Sequence, residues 1–160
     1  MSNQKLSSHM VWVFALGSVA AGIGASYAAS GLGQKAAAAV YFALVAVGGF
    51  GSTYLTKARV RGAVLAFFTV AAIAAVSYFF LVNSMFRTAT VAVTDAASGG
   101  AAHQQGVEAG ATFGRFFGII VGAVVFLETI VAGITGAVIG DKSRGKGGIA
   151  AIQGMSRAAS

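Results

Sequence analysis

The sequence predicts an all-α integral membrane protein, a bundle of four transmembrane helices packed through glycine and alanine. Three observations carry this. Only 9% of the residues are charged and 57% are hydrophobic, whereas soluble domains carry roughly 25% charged residues. Four apolar runs each approach the roughly 20 residues that a helix needs to cross a bilayer. Small residues recur along those runs at helical spacing, in a chain with 23 glycines and no proline.

The first span is expected over 10–29. Lys5 ahead of it and the small residues of "ASYAAS" have the look of a secretory signal, but the apolar run is longer than a signal core, so a retained helix is expected. The second span covers 36–55 and ends in "VGGFGS". The third covers 62–82 and follows the basic turn "TKARVR". The fourth covers 116–139, with a possible backward extension toward Gly110. Between spans three and four the sequence reads as a polar external loop over 83–112, holding at most a short helix near 101–109. A basic, glycine-bearing tail occupies 141–160. At 160 residues the natural count is one membrane domain.

Charge placement predicts orientation. Eight basic residues (Lys5, Lys57, Arg59, Arg61, Lys142, Arg144, Lys146 and Arg157) fall on one side, and three (Lys35, Arg87 and Arg115) on the other. The positive-inside rule then puts both termini in the cytoplasm of an inner or plasma membrane. The net charge of +7 is concentrated beside apolar segments. Anionic lipid headgroups at the cytoplasmic face are therefore the expected counter-charge, with Arg59, Arg61, Lys142 and Arg144 as contacts. Arg115, in "FGRFFG", takes the same role at the outer boundary. It could alternatively pair with Glu108. Trp12, Tyr27, Tyr54 and the Phe79–Phe80 pair lie toward span ends, as interfacial aromatic residues do. No nucleic-acid-binding pattern stands out.

The fourth span carries the most informative pattern. At 100° per residue, Gly114, Gly118, Gly122, Val125, Thr129, Ala132, Gly136 and Gly140 fall within an arc of about 80°. Such rows let helix backbones approach closely, which matters in lipid because hydrophobicity gives helices little reason to associate there. The first span offers a second row, Gly17, Gly24 and Gly31. These glycines are expected either to pack the bundle internally or to form a self-association face.

Glu128 lies near the middle of the fourth span, about 40° outside the glycine arc. An acid at that depth costs about 2.5–3.5 kcal/mol on insertion scales. The expectation is that it faces a neighbouring helix beside Thr129. A protonated carboxyl could donate there to a hydroxyl, and Ser18, Thr69, Ser77 and Tyr78 are the candidate partners. The rival reading makes Glu128 a proton or cation relay.

Two stretches, "GIGASYAASGLGQKAAAA" and "FLETIVAGITGAVIG", resemble rotary-ATPase proteolipids, which combine a glycine-rich first helix with a mid-membrane Glu in a later one. The resemblance covers about a fifth of the chain. The third span lacks the glycine repeat of a duplicated proteolipid hairpin, and the charge bias sets the termini on the opposite side. The likeness is therefore read as convergence on close helix packing.

Catalysis is not expected. The chain has no Cys, which removes thiolate metal sites and cysteine nucleophiles. His9 and His103 fall on opposite sides of the membrane in the expected topology, so they cannot share a metal. "GKGG" lacks both the preceding strand and the following hydroxyl of a phosphate-binding loop. No nucleophile–base pair or cofactor ligand set is evident. The functional expectation is a non-enzymatic membrane subunit, a packing or assembly component of a larger complex or a homo-oligomer. The alternative is a small proton or cation channel or transporter centred on Glu128.

Overall fold

The computed structural model describes residues 2–96 and 101–158, and the side chains of residues 9–89 and 105–145. The side chains of Lys5, Asp95, His103, Lys146 and Arg157 thus lie outside the described residues. Every regular element is helical: α1 (Ser2–Ala29), a short 3-10 turn (Ser30–Leu32), α2 (Gln34–Tyr54), α3 (Val60–Ala96) and α4 (Ala101–Ala158). Four helices are long and apolar enough to cross a membrane, over His9–Leu32, Gln34–Tyr54, Val60–Ala89 and Gln105–Gly145.

One expectation on organisation is corrected. The segment 83–112 is not a long loop, because α3 runs on to Ala96 and α4 begins at Ala101. Helix α4 also continues into the basic tail as far as Ala158. The reason is local. Ala, Val and Thr over 88–96 and Ala, Gln and Glu over 101–109 contain no proline, and alanine has the highest helix propensity. Polar composition was read as loop, although it marks only where a helix leaves lipid. At 1.5 Å per residue, the 58 residues of α4 extend about 87 Å, far beyond the ~30 Å hydrocarbon core of a bilayer.

The chain divides into two compact units. Unit 1 comprises residues 1–70 and 128–160, and unit 2 comprises 71–127, so both α3 and α4 contribute to each. In unit 1, α1 and α2 form an antiparallel hairpin. Its turn depends on Gly33, whose φ of 103° and ψ of 158° suit only glycine. The Gly33 carbonyl then accepts from Ala37 N–H, opening α2. Val11, Ala15 and Val19 of α1, Val45 of α2, Ala63, Ala66 and Phe67 of α3, and Ala132 and Ala137 of α4 are buried. Unit 2 is a pair of antiparallel helical segments. In it Phe86 stacks on Phe117 with ring centroids 5.6 Å apart.

The turn from α2 to α3 is built from side-chain and backbone bonds. Thr56 Oγ1 donates to Ser52 O and accepts from Ala58 N–H. Lys57 takes a left-handed conformation at φ 56°, and Arg59 O accepts from Gly62 N–H, starting α3.

Candidate functional site

The polar residues of unit 1 form the candidate site. Tyr41 projects from α2 and Thr129 from α4, and their hydroxyls lie 2.6 Å apart in a buried hydrogen bond. Thr129 is fully buried. Further along, the Thr53 hydroxyl donates to the Ala137 carbonyl at 2.9 Å, again joining α2 to α4. Ser52 Oγ, also fully buried, donates within its own helix to Gly49 O. These bonds satisfy hydroxyls that would otherwise be stranded in an apolar interior.

A third link lies at the end of α2. Arg144 Nη1 donates to Thr53 O at 3.2 Å, and Arg144 Nη2 donates to Asp141 Oδ1 at 2.8 Å. The last carbonyls of a helix lack intrahelical donors and carry partial negative charge, and α2 has no basic residue in its last turn. A guanidinium supplied by α4 takes that place. Arg144 thus ties α4 to the end of α2, and its side chain remains partly exposed. Arg59, Arg61, Lys142 and Arg115 are exposed.

Glu128 does not behave as expected. It is half-buried, and it makes no hydrogen bond or ion pair among the described residues. None of the four proposed partners reaches it. Ser18, Thr69 and Ser77 each donate to a carbonyl of their own helix, Ala15, Leu65 and Ile73 respectively, and Tyr78 forms no bond to it. The reason lies in the α4 wheel. Within unit 1 the buried positions of α4 are Thr129, Ala132, Gly133, Gly136, Ala137 and Gly140. Their centre lies about 110° from Glu128, because the buried face extends past the glycine arc toward Gly133 and Ala137.

The glycines divide by unit. In unit 1, a Cβ at Gly136 would collide with the Ala46 carbonyl oxygen, and one at Gly140 would lie 2.6 Å from Phe50 O. A Cβ at Gly49 would meet Gly133 O, and one at Gly133 would strike the Phe67 ring. In unit 2, Cβ atoms at Gly114, Gly118 and Gly122 would lie 2.9 Å from Phe86 Cβ, 3.0 Å from the Phe79 ring and 2.9 Å from Ala75 O. Among the described residues Gly17 and Gly24 have open space beside them, since a Cβ at either meets nothing within 4 Å. The α1 face turned to α2 runs through Phe14, Ser18 and Gly22, which meet Gly51, Gly48 and Tyr41, and its centre lies about 100–120° around the helix from those two glycines.

Tyr41, Thr53, Gly49, Gly133 and Phe67 were not singled out from the sequence. Tyr41 reads there as one aromatic residue in an alanine-rich run. Only its distance from either span end, unlike the interfacial tyrosines, hinted at a buried partner. Among the described residues no group of three or more His, Asp or Glu could hold a metal ion. No family model, curated protein or solved structure matches this chain.

Proposed function

We propose that this chain is a non-enzymatic membrane subunit that works by helix association, as a packing or assembly component of a larger membrane complex or a homo-oligomer. In this reading its glycine- and alanine-rich helix faces are the packing surfaces. Both termini lie in the cytoplasm of an inner or plasma membrane, and Arg59, Arg61 and Lys142 meet anionic headgroups there. The observation that carries the reading is the state of Glu128, a mid-span carboxyl half-exposed and without a partner among the described residues. Lipid supplies no donor, and polar groups in spans face protein or water almost without exception. A partner from outside the chain meets that requirement.

The second reading, conduction of protons or cations through Glu128, draws on the same exposed carboxyl. It is less favoured because the nearest buried hydroxyls, those of Tyr41 and Thr129, bond to each other rather than leading toward Glu128. The test has two parts. Purification from native membranes in mild detergent should return a defined complex or oligomer, and a chain recovered alone as a monomer would count against assembly. Liposomes carrying the wild type should show no proton or cation flux. Flux that Glu128→Gln abolishes would replace the assembly reading with the conduction one.

A further inference from the structure

On the outward side of α4 in unit 1, Glu128, Val131, Thr135, Val138 and Lys142 follow one another at steps of three and four. Val131, Thr135 and Lys142 are exposed, and Glu128 and Val138 are half-exposed. Alternating three- and four-residue steps are the heptad pattern of a helix–helix seam, with Glu128, Thr135 and Lys142 at one core position and Val131 and Val138 at the other. The spacing continues backward in sequence through Val124 and Val121. Thus α4 buries one face inside its own chain and leaves a second patterned face unoccupied.

Glu128 cannot escape lipid by reaching for water. It stands thirteen residues from both Arg115 and Asp141, the nearest charges on its helix, or about 20 Å from each. A glutamate side chain is far too short to span that distance, so the carboxyl must be met at its own depth.

We infer that the occupant of this face is the same face of α4 in a second copy of the chain, related by a two-fold axis along the membrane normal. This rests on the assembly reading above and names its partner. Copies inserted with the same orientation place each residue at the depth of its twin, so Glu128 faces Glu128 and Thr135 faces Thr135. Two facing carboxyls can share one proton in a hydrogen bond, and a hydroxyl both donates and accepts, so each level is complementary to its twin. A cationic partner is not available from a second copy, because no Lys or Arg lies between Arg61 and Arg87 or between Arg115 and Lys142. The valines supply β-branched packing between the polar levels. Lys142 closes the seam where the helix leaves the bilayer, and its side chain fans to headgroups.

The absence of native Cys makes the test direct. Val131→Cys and, separately, Val47→Cys are introduced into the full chain and oxidised in native membranes. Val47 is an exposed residue of α2 in the same unit. Val131→Cys should yield a covalent dimer and Val47→Cys should not. Equal cross-linking at both positions, or none at Val131, overturns the seam. If Val131→Cys stays uncrosslinked while the chain co-purifies with a different membrane protein, the seam fails and the assembly reading stands. If the chain is also a lone monomer in detergent, both fail. As a second measurement, Glu128→Gln keeps donor and acceptor and should retain the dimer, whereas Glu128→Leu should weaken association about 3- to 20-fold. Unchanged association of Glu128→Leu overturns the role given to the carboxyl.

Discussion

Helix α4 meets its neighbours differently in the two units. In unit 2, Gly114, Gly118 and Gly122 all face α3, in two successive four-residue steps, and two of the three nearest contacts are with phenylalanine side chains. In unit 1, α4 has two close neighbours. Gly136 and Gly140 face α2, Gly133 faces Phe67 of α3, and several of the nearest atoms are backbone carbonyls. Polar groups divide the same way. Unit 1 joins α2 to α4 through Tyr41–Thr129, Thr53–Ala137 and Arg144–Thr53, whereas in unit 2 the buried Asn83 Oδ1 has no hydrogen-bond partner among the described residues. A glycine against backbone leaves a neighbour nothing to rotate, while a phenylalanine ring can turn. Unit 1 should therefore be the less forgiving of the two.

The comparison breaks most sharply at Gly136. An added methyl meets the Ala46 carbonyl and approaches Phe50 N, so α2 and α4 must separate. Gly136→Ala should cost about 1–3 kcal/mol, the usual range for overpacking, and Gly136→Leu should prevent recovery of folded protein. Gly118→Ala, set against the Phe79 ring, should cost less. Unfolding by SDS titration in mixed micelles ranks them, and an equal loss at both positions would erase the distinction between the units. Gly122→Leu should still be worse than Ile120→Leu, because Ile120 is exposed.

Asn83 and Thr129 sharpen the polar side of the comparison. Thr129→Val keeps the shape and removes the bond to Tyr41, which should cost about 0.6 kcal/mol and at most about 1.7, the measured span for interhelical hydrogen bonds in membranes. Tyr41→Phe should match it. Asn83→Leu acts in the opposite direction. Removing a buried acceptor that lacks a partner is neutral or stabilising, so the same titration should show no loss. A destabilised Asn83→Leu would mean that its amide makes a needed contact.

The helical class and the four spans were legible because lipid imposes a composition and a minimum length that no soluble context mimics. The glycine row on α4 was legible as a row. Its division between two partner helices was not, because the wheel of one helix carries no information about which neighbour lies at each depth. Glu128 shows the same limit. The wheel gives its angle from the glycine arc, but the arc is not the centre of the buried face, since Gly133 and Ala137 widen it on the far side. Tyr41 and Thr129 are eighty-eight positions apart, and such a pairing depends on register, which periodicity alone does not supply. The length of α3 and α4 was missed because polarity was taken to mean loop.

The smallest effect is expected at Gly17. A Cβ there touches nothing, and Gly costs a helix interior roughly 0.5–1 kcal/mol relative to Ala. Gly17→Ala should thus leave stability unchanged or raise it slightly, in contrast to the same substitution at Gly136. Gly17→Leu is the more telling variant. The side chain enters open space on α1, so the fold should tolerate it, and any loss must come from outside the chain. If the homotypic contact runs along α4, Gly17→Leu leaves both SDS stability and the Val131→Cys cross-link intact. If Gly17→Leu keeps its stability but abolishes self-association, then the row of Gly17, Gly24 and Gly31 is the interface, and α1 rather than α4 carries the partner.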